Sequence, residues 1–251
     1  MDRMIKFNAG VIVIGDEILS GRTHDTNSNF IAKKLIEAGI QLDEIKIIHD
    51  DQNVIISNIL DFHKKYTYVF TTGGIGPTHD DITSESVAIA FNQRYCFHIE
   101  AYKILEEYYP KGEFSESRKK MAKMPEFAEL ILNPLTAAPG FYVKNIYVLP
   151  GVPDIMQKMF SSLLEKLEKG LPKKIITINI NLYESVIASK LEKIQKNNQT
   201  CSIGSYPYLN NISKTGGVNI VVSSWELDNL NPIVLEITDM VSLLGGKSSI
   251  V

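Results

Sequence analysis

The chain has 251 residues, 44% of them hydrophobic and 22% charged, with a formal net charge of −3 at pH 7. That balance is ordinary for a folded globular protein, and without a basic excess a broad surface tracking nucleic-acid phosphates is not expected. Two distant cysteines, Cys96 and Cys201, with no CxxC spacing, argue against a disulfide framework and a structural zinc site.

In chain order, the opening MDRMIKFNAGVIVIG is apolar but meets Asp16 and Glu17 at once. It is too short to span a bilayer and predicts a core strand over 7–14, ending at Gly15. No other segment has membrane length, so the expectation is a cytoplasmic protein with no membrane partner. Helical spacing of Phe30, Ile31, Leu35 and Ile36 predicts a helix over 27–38, stopped by Gly39. A strand follows over 42–48, then a helix over 54–66 through Ile55, Ile59 and Phe62, and a strand over 68–72. TTGGIGPTHDDIT comes next and leads into a helix over 83–91, with Ser84 and Glu85 suited to its first turn.

Helices over 100–109 and 115–122 flank a break at Pro110 to Gly112, and short strands are expected near 130–132 and 146–149 around the turn TAAPG. PGVP then opens a helix over 154–168. Past Gly170 and Pro172 the pattern reads strand 174–182, helix 185–196, strand 218–223 and helix 232–243. The fold class is therefore α/β, a parallel-dominated three-layer sheet over 1–170, with a small α+β domain over 171–251.

Three acidic pairs follow three predicted strands: Asp16-Glu17, Asp50-Asp51 and Asp80-Asp81. In a parallel sheet the strand ends share the edge where ligands bind. Carboxylates gathered there repel unless a cation compensates. Oxygen-rich surroundings favour a hard divalent ion bound together with substrate phosphates. The alternative for any one of these acids is helix capping. Gly73, Gly74 and Gly76 let the backbone bend and approach a ligand, and the following helix N-terminus favours an anion. His24, His49 and His79 fall in loops on the same edge, whereas Tyr108, Tyr109 and the methionines of 154–168 read as packing groups. Lys119, Lys120 and Lys123 read as a solvated face. No GxSxG elbow or Cys–His set is present.

GDEILSG, TTGGIGPTHDDIT, NPLTAAPGF and LPGVP, in this order, resemble the molybdopterin-binding-like domain of the competence/damage-inducible protein CinA. ESVIASKL and IGSYP are similar, more weakly, to its small middle domain. The resemblance stops short of that protein's C-terminal amidase. It implies a metal-dependent pyrophosphatase splitting ADP-ribose or a related dinucleotide such as FAD. Asp50, Asp80 and Asp81 would be catalytic, and Asp16, Glu17, Asp50 and Asp81 would hold Mg²⁺, Mn²⁺ or Co²⁺. Gly15, Ser20, Gly73, Gly74, Gly76, Pro77, Thr78, Ala138, Gly140, Pro150 and Gly151 would hold the nucleotide and its phosphates. A homo-oligomer is implied as well. Thr136 stands where the family usually has Gly, and His79-Asp80-Asp81 favours the pyrophosphatase branch. Transfer of adenylate to molybdopterin and a non-catalytic nucleotide or pterin sensor are the alternatives.

Overall fold

Valine and isoleucine dominate NAGVIVI, which forms strand β1 (Asn8–Ile14) with nearly every side chain buried. A strand buried on both faces belongs inside a parallel sheet. In a computed structural model, which describes residues 7–210 and 215–251, β1 lies there. The first six residues, where the expected first domain begins, lie outside the described residues. After β1 come α1 (Asp16–Leu19), α2 (Asn27–Glu37), β2 (Gln41–Ile48), α3 (Gln52–Lys65), β3 (Tyr68–Thr72) and α4 (Thr83–Ala90). β2 and β3 flank β1, both parallel to it.

The next stretch holds β4 (Tyr95–Phe97), α5 (Ile99–Tyr108), α6 (Glu116–Lys120), β5 (Lys123–Pro125), β6 (Glu129–Ile131), β7 (Gly140–Val143), β8 (Ile146–Leu149) and α7 (Pro153–Leu164). The main sheet runs β2-β1-β3-β8-β7-β6, with β8 parallel to β3 and β7 antiparallel to both its neighbours. One face carries Ile31, Leu35, Met156 and Phe160 of α2 and α7 against Val11, Val13 and Phe70. The other carries Ile55, Ile59, Phe62, Val87 and Leu105 of α3, α4 and α5 against Ile12, Ile14 and Val69. These are the expected three layers. Phe62, Phe70, Phe141 and Phe160 are fully buried, each contributing about 2–3 kcal/mol by leaving water.

The larger compact unit ends at Gly170, and a smaller one runs from Leu171 to Val251. The smaller unit contains β9 (Lys174–Ile180), α8 (Glu184–Asn197), β10 (Ser202–Asn210), β11 (Thr215–Ser224), α9 (Asn231–Leu243) and β12 (Ser248–Ile250). Its sheet, β10-β11-β9-β12, is antiparallel throughout. Ile187, Leu191, Ile233, Ile237 and Val241 of its helices cover Ile178, Ile180, Val218 and Ile220. Among the described residues no helix is long and apolar enough to cross a membrane. Elements α1, β4, β5, β7, β10 and β12 have no counterpart in the sequence expectation.

Candidate functional site

Because β2, β1 and β3 are parallel neighbours, Ile48, Ile14 and Thr72 end on one edge and the loops after them meet. The Gly15 N–H donates to the Ile48 carbonyl (3.2 Å) and the Gly73 N–H to the Leu149 carbonyl (3.1 Å). Gly73 and Gly74 have φ of 102° and 68°, the left-handed region. A Cβ on Gly73 would stand 2.1 Å from the Ile14 carbonyl oxygen, and one on Gly74 2.1 Å from Thr83 Oγ1. The bend is tied to α4, since the Thr83 N–H donates to the Gly74 carbonyl (3.0 Å) and its hydroxyl to the Gly73 carbonyl (3.0 Å). The N–H groups of Gly74, Ile75 and Gly76 then have no acceptor among the described residues. Successive free amides in a bent loop form an anion-binding concavity.

A cavity of about 630 Å³ opens beside this loop. Glu17 and Asp50 line one side and Asp80 and Asp81 another, while Pro150, Gly151 and Val152 close a third. Asn27 holds that third wall, donating from Nδ2 to the Gly151 carbonyl at 2.8 Å. Tyr108, Tyr109 and Met121 add an apolar wall, and Asn133 and Thr136 a polar one.

The six acids have separate tasks. Asp51 caps α3 by accepting the Val54 N–H at 3.0 Å, so the capping alternative applies to it. Asp16 faces outward and pairs with His49 Nδ1 at 2.6 Å, both side chains being mostly exposed. Asp16 nevertheless shapes the site, since its N–H donates to Asp50 Oδ2 at 2.9 Å. Partial burial pushes the Asp50 carboxyl above its ordinary value, and the charges of Asp16, Glu17 and Asp80 push the same way against that N–H. Asp81 Oδ2 accepts both the N–H (2.8 Å) and the hydroxyl of Thr78. Asp80 is held below the usual carboxylate range by the Thr78 side chain, whose one hydroxyl proton it shares with Asp81, and by its own N–H, helped by His79 and Lys120.

Twelve of the residues expected from the sequence line this one cavity: Gly15, Glu17, Asp50, Gly73, Gly74, Gly76, Pro77, Asp80, Asp81, Ala138, Pro150 and Gly151. Asp16, Ser20, Thr78 and Gly140 are not on its wall. The Ser20 hydroxyl bonds the Glu17 carbonyl at 3.3 Å, and Thr78 gives its amide to Asp81 and not to a ligand. Gly140 is buried at the start of β7, where a Cβ would come within 2.4 Å of the Val148 carbonyl oxygen. Exposed His24 and His79 line no part of it. Tyr108 and Tyr109 do pack, edge to face at 5.2 Å, yet both also face the cavity, which their sequence pattern did not signal. Lys120 is no bystander either, for its Nζ donates to the Thr78 carbonyl and pins the glycine loop. Among the described residues no group of three or more His, Cys, Asp or Glu is placed to hold a metal ion. Of the acids expected to hold a divalent ion, Glu17, Asp50 and Asp81 line the cavity and Asp16 does not.

Comparison with known proteins accords with this geometry. Residues 10–169 match a family described as "probable molybdopterin binding domain", and residues 172–243 match "FAD synthase, middle domain". A relative from Archaeoglobus fulgidus is 35% identical over 92% of this chain and 97% of its own. A "probable FAD synthase" from Caenorhabditis elegans is 29% identical over 93% of this chain and 50% of its own, so the chain spans about half of that relative's length. The crystal structure of CinA from Thermoplasma acidophilum, a protein described as of unknown function, has a TM-score of 0.60 at 33% identity. It matches over 63% of this chain and 96% of its own. The CinA-type resemblance and the α/β architecture therefore hold. The assignment as a hydrolase of the ADP-ribose pyrophosphatase kind does not. The Caenorhabditis relative and the family matched over 172–243 are named for FAD synthase, an FAD-forming enzyme and not a hydrolase.

Proposed function

The chain belongs to the molybdopterin-binding domain family, and on that premise we propose that its cavity binds a phosphorylated nucleotide for nucleotidyl transfer to a flavin- or pterin-type phosphate. The observation that carries this reading is the meeting of three free amides, Gly74 to Gly76, with Asp50 on the wall of one cavity. Its volume lies within the range of small-molecule sites. The synthase names of the relatives support the direction of the chemistry.

In this reading the amides hold a phosphate of the nucleotide and fix it for in-line displacement. A phosphate oxygen of the acceptor attacks the α-phosphorus, the bond to the pyrophosphate breaks, and pyrophosphate leaves with the electron pair. Asp50, the acid whose protonated form burial favours, holds or releases the proton at the acceptor phosphate. Glu17, Asp80 and Asp81 on the walls of the same cavity oppose a naked polyanion, so the nucleotide enters with its own counter-cation.

The test is to incubate the chain with ATP and Mg²⁺ plus FMN or a pterin phosphate, and to follow dinucleotide and pyrophosphate by chromatography. Release of AMP from a supplied dinucleotide, with none formed, overturns the reading. A second reading, ligand binding without turnover, is supported by Asp51 and Asp16 being engaged elsewhere, in the cap of α3 and the pair with His49. Tight calorimetric nucleotide binding with no product from any pair of substrates would establish it.

A further inference from the structure

Tyr108 and Thr136 also line a second, shallower cavity of about 410 Å³, together with Ile104, Glu107, Pro134, Leu135 and Ala137. The two cavities thus share a wall, and they differ in chemistry. The first is lined by the glycine loop and four carboxylates, whereas aliphatic side chains dominate the second beside Tyr108, Thr136 and Glu107.

The wall between them is preformed. Asn133 Oδ1 accepts the N–H groups of Leu135 and Thr136, each at 3.0 Å, while its Nδ2 donates to Thr136 Oγ1 (2.6 Å) and the Ala138 carbonyl (3.0 Å). Tyr109 is already engaged, stacked on Phe114 at 6.1 Å with Arg118 4.2 Å from its ring centre. Tyr108 meets only Tyr109 among the described rings, in a T-shaped contact, and is 55% exposed. Leu135, beside it, is 50% exposed. A largely exposed aromatic ring next to exposed aliphatic surface, continuous with a phosphate site, is what a flat ring requires. The Glu107 carboxylate can only accept, so it suits a ring whose edge carries an N–H.

We propose that the second cavity seats the flavin- or pterin-type ring of a pyrophosphate-linked ligand, stacked on Tyr108 with its N–H edge toward Glu107. The assignment rests on the reading that the ligand's phosphates occupy the glycine loop.

The experiment measures the affinities of ADP, ADP-ribose and FAD by calorimetry for the whole chain and for the Leu135→Glu and Tyr108→Ala variants. Leu135 lines only the second cavity and is exposed, so its replacement leaves the core intact. FAD should bind at least about tenfold more tightly than ADP-ribose, which carries the same adenine but lacks the flavin ring, the strength of one ring stack. Leu135→Glu should remove most of that advantage while leaving ADP unchanged, and Tyr108→Ala should do the same to FAD. Equal affinity for FAD and ADP-ribose, or a Leu135→Glu variant that keeps the FAD advantage, overturns the ring seat while the phosphate site stands. Failure of all three ligands to bind removes both.

Discussion

The two sheets of this chain are built from similar residues and end differently. In the larger unit β2, β1, β3 and β8 run the same way, so four strand ends and their loops are delivered to one edge. In the smaller unit every neighbour is antiparallel, and consecutive ends fall at opposite edges. The parallel sheet therefore collects loops that contribute backbone donors and carboxylates to a single cavity. The antiparallel one puts its apolar residues into a core with α8 and α9. Strand direction, more than composition, decides which unit can hold a polar ligand.

Two glycines put the sharpest strain on that contrast. A Cβ at Gly73 would lie 2.1 Å from the Ile14 carbonyl oxygen, and one at Gly217 would lie 2.1 Å from the Ile180 carbonyl oxygen. The steric conflict is equal, but Gly73 also needs a φ of 102°. Gly73→Ala should cost about 2–4 kcal/mol of stability and abolish nucleotide binding, because the free amides follow it directly. Gly217→Ala should cost on the order of 2 kcal/mol and leave nucleotide affinity unchanged. Denaturant midpoints and calorimetric titration of both variants check this. Nucleotide binding lost in Gly217→Ala would break the division of labour between the units.

The adjacent acids after β2 sharpen it at a finer scale. Asp51 accepts the Val54 N–H and starts α3, whereas Asp50 turns to the cavity. Asp51→Ala should lower stability by about 1 kcal/mol, the usual value of a cap, with unchanged ligand affinity. If Asp51→Ala instead weakened nucleotide binding with stability intact, the two roles would have to be exchanged.

Most of the larger unit was legible because it repeats one simple pattern. The runs ending at Ile14, Ile48 and Thr72 announced strands, the first and third of them buried and the second at the sheet edge, and the acids and glycines after them announced the ligand-binding edge. What stayed hidden depends on partners distant in sequence. IGSYPYLN carries a Pro and a Gly, which read against a strand. β10 nevertheless forms at the sheet edge, where a residue without an N–H is tolerated. β7 is only four residues long, and its pairing comes from a hairpin through Lys144, at φ 55°, back onto β8. The aromatic side of the cavity was missed for a related reason. Tyr108 and Tyr109 lie at the end of α5, and nothing local says that the loop from Asn133 to Ala138 comes to stand opposite.

The smallest effect concerns Asp50 and separates a cavity acid from a surface one. Burial and the neighbouring charges raise its folded pKa above 3.8. Through that interval the folded chain holds a proton that the unfolded chain has released. By linkage, stability falls as pH rises across it. The contribution is full below the ordinary aspartate range and gone above the raised value. Asp50→Asn should flatten this part of the stability–pH curve and leave the rest superimposable. Asp16→Asn should weaken the effect, because one of the charges that raise Asp50 disappears while the Asp16 amide remains. Denaturant midpoints at closely spaced pH values resolve the slopes. An Asp50→Asn curve parallel to that of the parent would mean that the carboxyl is as free as one on the antiparallel unit's surface, and its assignment as the proton-holding group of the cavity would fall.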